Sequence, residues 1–236
     1  MSATGASDRE LRFADGTAFA CLSHDGRALL ERIARPRSLR ANELVYLQAD
    51  PASGLYVVRS GYVRLSNIMD DGSVVLTRLV APGEVFGELP AFDGGPHQDT
   101  ATAQGPVSLA VLPSAGFARA MAANPEIAGC LGVHVAQRTR QFVDVMCTQF
   151  LGTLAARLAQ VILRLLDSVG EDPIDGEATS IAPFISQTDL GCMARGTREN
   201  VNIILKDWER KGLLKIEKRR IRKVDRAGLI AIVHDG

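Results

Sequence analysis

The sequence contains no apolar run approaching the about 20 residues that a membrane-spanning helix needs. Its first residues also lack the basic start and the apolar stretch of a secretory signal. No order of Ser, His and Asp and no His or Cys spacing suits a catalytic or metal centre. We therefore expect a cytoplasmic protein that is not an enzyme, has no cofactor and does not associate with a membrane.

Cysteine is scarce, and its 4 copies, at positions 21, 130, 147 and 192, are far apart in the chain. The absence of a Cys-x-x-Cys pair gives a zinc or iron–sulfur site little support. The sequence therefore predicts buried or incidental thiols in a reducing cytoplasm.

Lysine is confined to the last quarter of the chain, at positions 206, 211, 215, 218 and 223. The formal net charge of zero hides this asymmetry. Residues 186–226 contain 12 Lys and Arg against 6 Asp and Glu, whereas residues 1–185 contain 15 against 20. A basic segment of this kind favours a polyanionic partner such as double-stranded DNA, and a solvated surface patch is the alternative.

The basic segment contains the pattern of two short helices joined by a tight turn. Ser186 can cap the first helix, with Asp189 completing a variant of the capping box, and Thr197 can cap the second. Gly196 is expected to supply the turn. The apolar stripe of the second helix consists of Val201, Ile204, Leu205 and Trp208. The pattern predicts a DNA-binding helix-turn-helix, and the alternative is an ordinary amphipathic αα-hairpin with a solvated outer face.

The outer face of the second helix carries side chains suited to DNA. Arg and Asn fit purine edges, Glu accepts from a cytosine amine and Lys binds phosphate. Two short strands with a basic tip follow and form a predicted wing, whose arginines would contact phosphate. The candidate DNA-binding residues are Ser186, Gln187, Thr197, Arg198, Glu199, Asn202, Lys206, Arg219 and Arg220.

The region from about 38 to 113 has a residue pattern typical of β-strands. Short β-branched or alternating runs occupy 44–47, 55–58, 62–66, 74–80, 101–103 and 107–112. Turn residues separate them, including Ser60-Gly61 and the hairpin signal Asp71-Gly72. Short strands at such spacing predict an antiparallel barrel or sandwich.

Helical patterns return after this region, from Pro125 to about Phe150 and over about 153–168. The first helix has a discontinuous apolar stripe, interrupted by Arg138, which must be buried somewhere. Pairing with a second copy in a homodimer is the simplest solution, and packing along the barrel of the same chain is the alternative. A polar loop or small hairpin is expected over 170–183.

Three stretches resemble one family of proteins. Tyr56-Val-Val-Arg-Ser-Gly61-Tyr-Val is similar to its strand–Gly–strand signature, Pro82-Gly-Glu-Val-Phe-Gly-Glu-Leu to its phosphate-binding cassette, and Thr197-Arg-Glu-Asn-Val to its recognition-helix start. In this order, they make the chain from about 20 to 230 resemble the cyclic-AMP receptor protein / fumarate-nitrate reduction regulator (CRP–FNR) family of bacterial transcription regulators.

The resemblance implies an α+β fold with three parts. These are an N-terminal antiparallel β-roll of the cyclic-nucleotide-binding type (20–123), a long dimerisation helix (124–152) and a C-terminal winged helix-turn-helix (153–236). It implies a homodimer that binds an inverted repeat in DNA, with RNA polymerase as a partner. Arg198 and Glu199 align with two recognition residues of the family, whereas Ile203 stands where the family has a later Arg. The half-site should therefore change at that one position.

The resemblance also implies a ligand site, formed by Gly87, Glu88, Asp99, Thr100, Phe142 and Val143. Members that bind cyclic AMP use the cassette Glu for the ribose, and an Arg followed by Ser or Thr for the phosphate. Asp99 replaces that Arg, so a phosphate would meet a like charge. Phe142 and Val143 align with the adenine-contacting Thr-Ser pair, which predicts an unusually apolar pocket. We therefore expect no gating by cyclic AMP, and the effector stays unknown.

Two further possibilities come from the same family. Its oxygen sensors need a cysteine cluster near the N-terminus, where only Cys21 is found, and its haem sensors would leave His97 as a lone candidate, which we expect to be an exposed loop histidine. A cyclic-nucleotide-responsive module acting through protein partners is the alternative function. Asp99 and the basic C-terminal segment both argue against it.

Overall fold

An antiparallel sheet dominates the first half of the chain in the computed structural model, which describes residues 19–70, 72, 74–174, 177–181, 184–218 and 220–235. Its strands are β1 (Arg35–Leu39), β2 (Leu44–Tyr46), β3 (Gly54–Ile68), β4 (Val74–Val80), β5 (Val85–Phe86) and β6 (Thr100–Pro113). The order is β1-β6-β3-β4, with β2 paired to β6 and β5 paired to β3. Strand β6 runs antiparallel to β1, β2 and β3, which confirms the expected N-terminal antiparallel sheet.

The expected turn at Ser60-Gly61 is wrong, because β3 continues through it. Ser60 pairs with Ser108 and Tyr62 with Gln104, so the register against β6 shifts at this point. Gly61 has a φ of 76°, and a glycine at positive φ can bend a strand at a bulge without reversing it. At the other expected turn, β3 and β4 are neighbours in the sheet and the Gly72 amide donates to the Met69 carbonyl at 2.9 Å. Asp71 lies outside the described residues.

Alternation along β3 divides the core of this region into two layers. Leu55 and Val57 pack with residues of the surrounding helices, including Phe117. Tyr56 and Val58 point to the opposite face and pack among the strands themselves. Successive side chains of a strand leave on opposite faces, so one strand supplies both layers.

Four helices accompany this sheet: α1 (His24–Ile33), α2 (Pro90–Asp93), α3 (Ser114–Ala123) and α4 (Pro125–Thr148). Helix α4 confirms the predicted long helix and has 24 residues, a length of about 36 Å. None of the helices in the described parts of the chain is long and apolar enough to cross a membrane.

A disulfide joins Cys21, which precedes α1, to Cys130 in α4, with 6.1 Å between their Cα atoms. The expectation of unpaired thiols is therefore wrong for these two residues and holds for Cys147 and Cys192, which are both exposed. The partners are 109 residues apart in sequence, and only the packing of α4 beside the segment before α1 brings them together.

The chain from Arg140 onward, together with Val75–Thr77 of β4, forms a second unit, and the rest of the chain up to Thr139 forms the first. Its elements are α5 (Leu154–Val169), β7 (Gly170–Ile174), β8 (Glu177–Ile181), α6 (Gln187–Ala194), α7 (Arg198–Arg210), β9 (Lys215–Glu217), β10 (Arg220–Arg222) and α8 (Arg226–His234). Strands β7 and β8 form the small hairpin that was one of two expectations for 170–183. Strands β9 and β10 pair antiparallel as the predicted wing.

Candidate DNA-binding and effector sites

Helix α6 starts at the predicted capping box. The Ser186 hydroxyl accepts from the Asp189 amide at 3.1 Å, and the Asp189 carboxylate accepts from the Ser186 amide at 3.0 Å. The Ser186 hydroxyl also donates to that carboxylate, at 2.7 Å. Because both functions of this hydroxyl are used within the cap, Ser186 positions α6, and a phosphate at this point would be bound through other groups of the helix start.

The turn between α6 and α7 differs in one detail from the expectation. Arg195, not Gly196, takes the left-handed conformation, with a φ of 54°. A Cβ on Gly196 would lie 2.6 Å from Cδ1 of Leu154 in α5. A larger residue at position 196 would force the Leu154 side chain to move, so packing of the turn against α5, and not positive φ, favours glycine there.

Helix α7 separates a buried face from an outward face, as its periodicity predicts. The Thr197 hydroxyl caps it by accepting from the Asn200 amide at 3.2 Å. The stripe residues Val201, Leu205 and Trp208 are buried, and Ile204 is half-buried. The outward face carries Arg198, Glu199, Asn202, Ile203 and Lys206, of which all except the half-buried Asn202 are exposed.

The starts of α6 and α7 are joined by their side chains. Nε2 of Gln187 donates to Oδ1 of Asn202 at 3.3 Å. The two candidate residues therefore lie together, and each helps to hold the other. The sequence alone did not predict this contact, because the two residues are brought together only when the residues between them form the helix-turn-helix.

The structure describes one of the two candidate arginines of the wing, Arg220. Nε of Arg220 donates to the Ile181 carbonyl at 2.9 Å, so part of its guanidinium links β10 to β8. Arg219 lies outside the described residues. Phosphate binding by either arginine stays a prediction.

The cassette residue Glu88 is inside the sheet formed by β1–β6, which is the β-roll of this chain, and only 1% of its surface is exposed. It forms an ion pair with Arg138 of α4. Gly87 precedes it at a φ of 67°, where an added Cβ would meet His97, Tyr56 and Tyr46 at 3.2–3.3 Å. In the sequence, Arg138 is notable only as a charge that interrupts an apolar stripe. That pattern does not identify its partner Glu88, which lies 50 residues away.

Asp99 and Thr100 are also tied to neighbours within the β-roll. The Tyr46 hydroxyl donates to Oδ1 of Asp99 at 2.9 Å, and the Thr100 hydroxyl accepts from the Gln48 amide at 3.0 Å. Burial raises the pKa of Asp99. Burial, reinforced by the charge of Asp99, also raises the pKa of Tyr46 far above its ordinary value. The proton between the two groups therefore stays on Tyr46.

His97 is not the exposed loop residue that was expected, since only 2% of its surface is exposed. Its ring stacks on Tyr46 with 3.6 Å between ring centroids. Its backbone is bonded at both ends, with the Ala49 amide donating to its carbonyl at 2.8 Å and its own amide donating to the Asp50 carbonyl at 3.0 Å. Burial lowers the pKa of His97, so the ring is neutral near pH 7.

The interior of the β-roll is polar as well as aromatic. In the described residues of the first unit, four buried side-chain atoms have no hydrogen-bond partner: Nη1 of Arg78, Oε2 of Glu88, Nε2 of His97 and Nε2 of His134. Buried polar atoms of this kind normally contact water or a ligand. The interior therefore contains polar groups beside its aromatic rings. The expected apolar pocket at Phe142 and Val143 stays a prediction. The described residues contain no group of His, Cys, Asp and Glu that could hold a metal ion.

Phe142 and Val143 lie on the part of α4 that belongs to the second unit. In the single chain, 63% and 51% of their surfaces are exposed. Their assignment to a ligand site stays a prediction.

Comparison with known proteins bears on both parts of the chain. A cyclic nucleotide-binding domain model matches residues 36–124, and a Crp-like helix-turn-helix domain model matches residues 156–232. The chain is 25% identical over 194 residues to a CRP-like cAMP-activated global transcriptional regulator of Mycobacterium tuberculosis, covering 82% of this chain and 86% of that protein. It is 29% identical over 188 residues to the transcriptional regulator LdrP of Thermus thermophilus, covering 79% and 91%.

A similar solved structure is that of FixK2 from Bradyrhizobium japonicum. It superposes with a TM-score of 0.74 at 25% identity, covering 85% of this chain and 97% of that one. These matches, the order of the two domains and the capped helix-turn-helix with its wing all indicate the same family. This chain belongs to the CRP–FNR family of transcription regulators, which are not enzymes, and carries the family's helix-turn-helix DNA-binding domain.

Proposed function

We propose that the protein is a homodimeric regulator that binds an inverted repeat in DNA through α7 and is not gated by cyclic AMP. It would comprise a sensor domain (20–123), a dimerisation helix (124–152) and a DNA-binding domain (153–236). The observation that carries the proposal is the outward face of α7, where Arg198 and Glu199 are exposed directly after the cap at Thr197. A recognition helix contacts base edges with such N-terminal residues.

Dimerisation is supported by apolar side chains that α4 leaves exposed. Phe142, Val143 and Met146 are exposed neighbours on one side of this helix. Apolar residues in such number on one long helix favour a second helix as their cover. A two-fold pair would place two α7 helices in successive major grooves, about 34 Å apart.

Independence from cyclic AMP is supported by the side chains at the cassette. Glu88 is paired with Arg138, so a ribose hydroxyl would have to compete with a guanidinium for the same carboxylate. Asp99 stands at the position of the phosphate-binding Arg. When charged, it repels a phosphate, and when protonated, it offers no positive charge. Cyclic AMP is named as the activator of the Mycobacterium tuberculosis relative, and these two positions argue against the same effector here.

The proposal is tested by selection from random DNA duplexes with the purified protein and no nucleotide. We expect an inverted repeat with half-sites about one helical turn apart and a dimer by sedimentation. A selected site without two-fold symmetry, or a protein that binds as a monomer, would contradict the proposal.

Other candidate residues would contact the DNA backbone or support the recognition helix. Lys206 and the wing arginines Arg219 and Arg220 would bind phosphate, and Gln187 with Asn202 would support the helix that contacts bases. RNA polymerase is the expected protein partner, since the family acts on transcription, and this role implies that the protein acts in the cytoplasm. The small-molecule effector is unknown.

A further inference from the structure

Ile203 is an apolar side chain in the middle of the charged outward face of α7, with 65% of its surface exposed. Its neighbours on that face, at i−4, i+3, i+4 and i+7, are Glu199, Lys206, Asp207 and Arg210. An exposed isoleucine lowers helix propensity and contributes nothing to the core, which Val201, Leu205 and Trp208 already serve. Packing within the chain therefore does not account for Ile203.

Ile203 lies about one helical turn after Glu199 on the outward face of α7. It lies four residues after Glu199, which is close to one helical turn and about 6 Å along the axis. Base pairs are spaced by about 3.4 Å, so this distance corresponds to about two base-pair steps. Asn202, the preceding residue, is held by Gln187 and lies half-buried. Ile203 is thus the next exposed side chain on the outward face of α7 after Glu199.

Only one group on the major-groove edges of the four base pairs is apolar, the C5-methyl group of thymine. An isoleucine among charged neighbours cannot donate to or accept from the other base edges. We propose that Ile203 is a specificity-determining residue that recognises thymine by packing against its C5-methyl group. The thymine would lie about two base pairs from the pair contacted by Glu199. This inference rests on the proposed function, because it requires α7 to lie in the major groove.

The expected size of the effect follows from the group that is contacted. Burying one methyl-sized group contributes about 0.8 kcal/mol, which is about a fourfold change in Kd. Removing the methyl group from both half-sites should therefore weaken binding about fifteen-fold, since two independent contacts multiply.

The test replaces each thymine of the selected inverted repeat in turn by deoxyuridine, which lacks only the C5-methyl group. Kd is measured for the full-length wild-type protein and for Ile203→Ala. We expect one thymine in each half-site to be sensitive with the wild type, and the same replacement to have no effect with Ile203→Ala. Ile203→Arg should instead select guanine at that position, because a guanidinium fits the guanine edge.

Ile230→Ala is the matched control, since Ile230 is an exposed isoleucine of the same unit that lies on α8. It should keep the full sensitivity of the wild type. The inference is overturned if no thymine is sensitive or if Ile203→Ala keeps the sensitivity. Those results leave the proposed function intact, whereas failure to select any inverted repeat would contradict the proposed function itself.

Discussion

The outward face of α7 and the interior of the β-roll differ in how far their residues follow the pattern of the family. On α7, Arg198 and Glu199 match the family pattern and are exposed. In the β-roll, Glu88 is buried and paired with Arg138, and the resemblance to the family places Asp99 where its cyclic-AMP-binding members have an Arg. The proposed function therefore keeps the DNA recognition of the family and changes its sensing chemistry. Changes in the β-roll should accordingly appear as altered stability, and changes on α7 as altered DNA affinity.

The largest effect on stability is expected from the disulfide between Cys21 and Cys130. Its reduction should lower the free energy of unfolding of the first unit by about 4–5 kcal/mol, because the bond closes a loop of about 100 residues in the unfolded chain. Urea unfolding with and without a reductant measures this difference. The Cys147→Ser/Cys192→Ser variant is the control, since both residues are unpaired and exposed, and it should show the same loss on reduction. An unchanged transition on reduction would contradict the role of the bond.

The Glu88–Arg138 ion pair should give the next effect. Arg138→Met leaves the buried Glu88 carboxylate without its cation and is expected to cost about 3–5 kcal/mol in urea unfolding. Adding Glu88→Gln should recover much of this loss, because no unpaired charge then remains. Arg140→Met removes an exposed arginine of the same helix and should change the stability by less than about 0.5 kcal/mol. Equal effects of the two arginine variants would show that the pair has no special importance.

On the DNA-binding side, Glu199→Ala should weaken binding to the selected site by about 1–3 kcal/mol and loosen the preference at one base pair. Its thermal unfolding should stay close to that of the wild type, because Glu199 is exposed. Fluorescence titration of the selected duplex and of its single-base variants measures both quantities. Asp235→Ala, which removes an exposed acid beyond α8, is the control. Unaltered affinity and base preference in Glu199→Ala would refute the assigned role.

The smallest effect concerns pH. Burial lowers the pKa of His97 in the folded protein, so below about pH 6.5 the unfolded chain binds a proton that the folded chain does not. Stability should therefore fall as the pH is lowered from 7.5 to 5.5, by at most about 1.4 kcal/mol per pH unit for this residue. His97→Gln should reduce this dependence, and His24→Gln, at an exposed position, should not. A dependence that is identical in both variants would exclude His97 as its source.

The sequence predicted those features that depend on local pattern. The capping box at Ser186, the buried stripe of α7 and the wing strands all follow from residues within one or two turns of each other, and the structure contains each of them. The same holds for the run 74–80, which is β4. Local geometry was misjudged where one residue had two possible roles, as at Gly61 and Gly196.

Features that depend on distant contacts could not be predicted. The Cys21–Cys130 bond joins residues 109 apart, and Arg138 meets Glu88 across 50 residues. The burial of His97 depends on backbone hydrogen bonds to Ala49 and Asp50 and on the ring of Tyr46. Periodicity and composition carry no information about such pairs, which is why the buried polar contacts of Glu88, Arg138 and His97 were not predicted.

The most direct measurement of the central claim is a titration of the selected duplex with the purified wild-type protein, with and without a saturating concentration of cyclic AMP. The account predicts specific binding in the absence of any nucleotide and a Kd that cyclic AMP leaves unchanged. A protein that binds its site only with cyclic AMP, or whose Kd falls tenfold when it is added, would contradict the account.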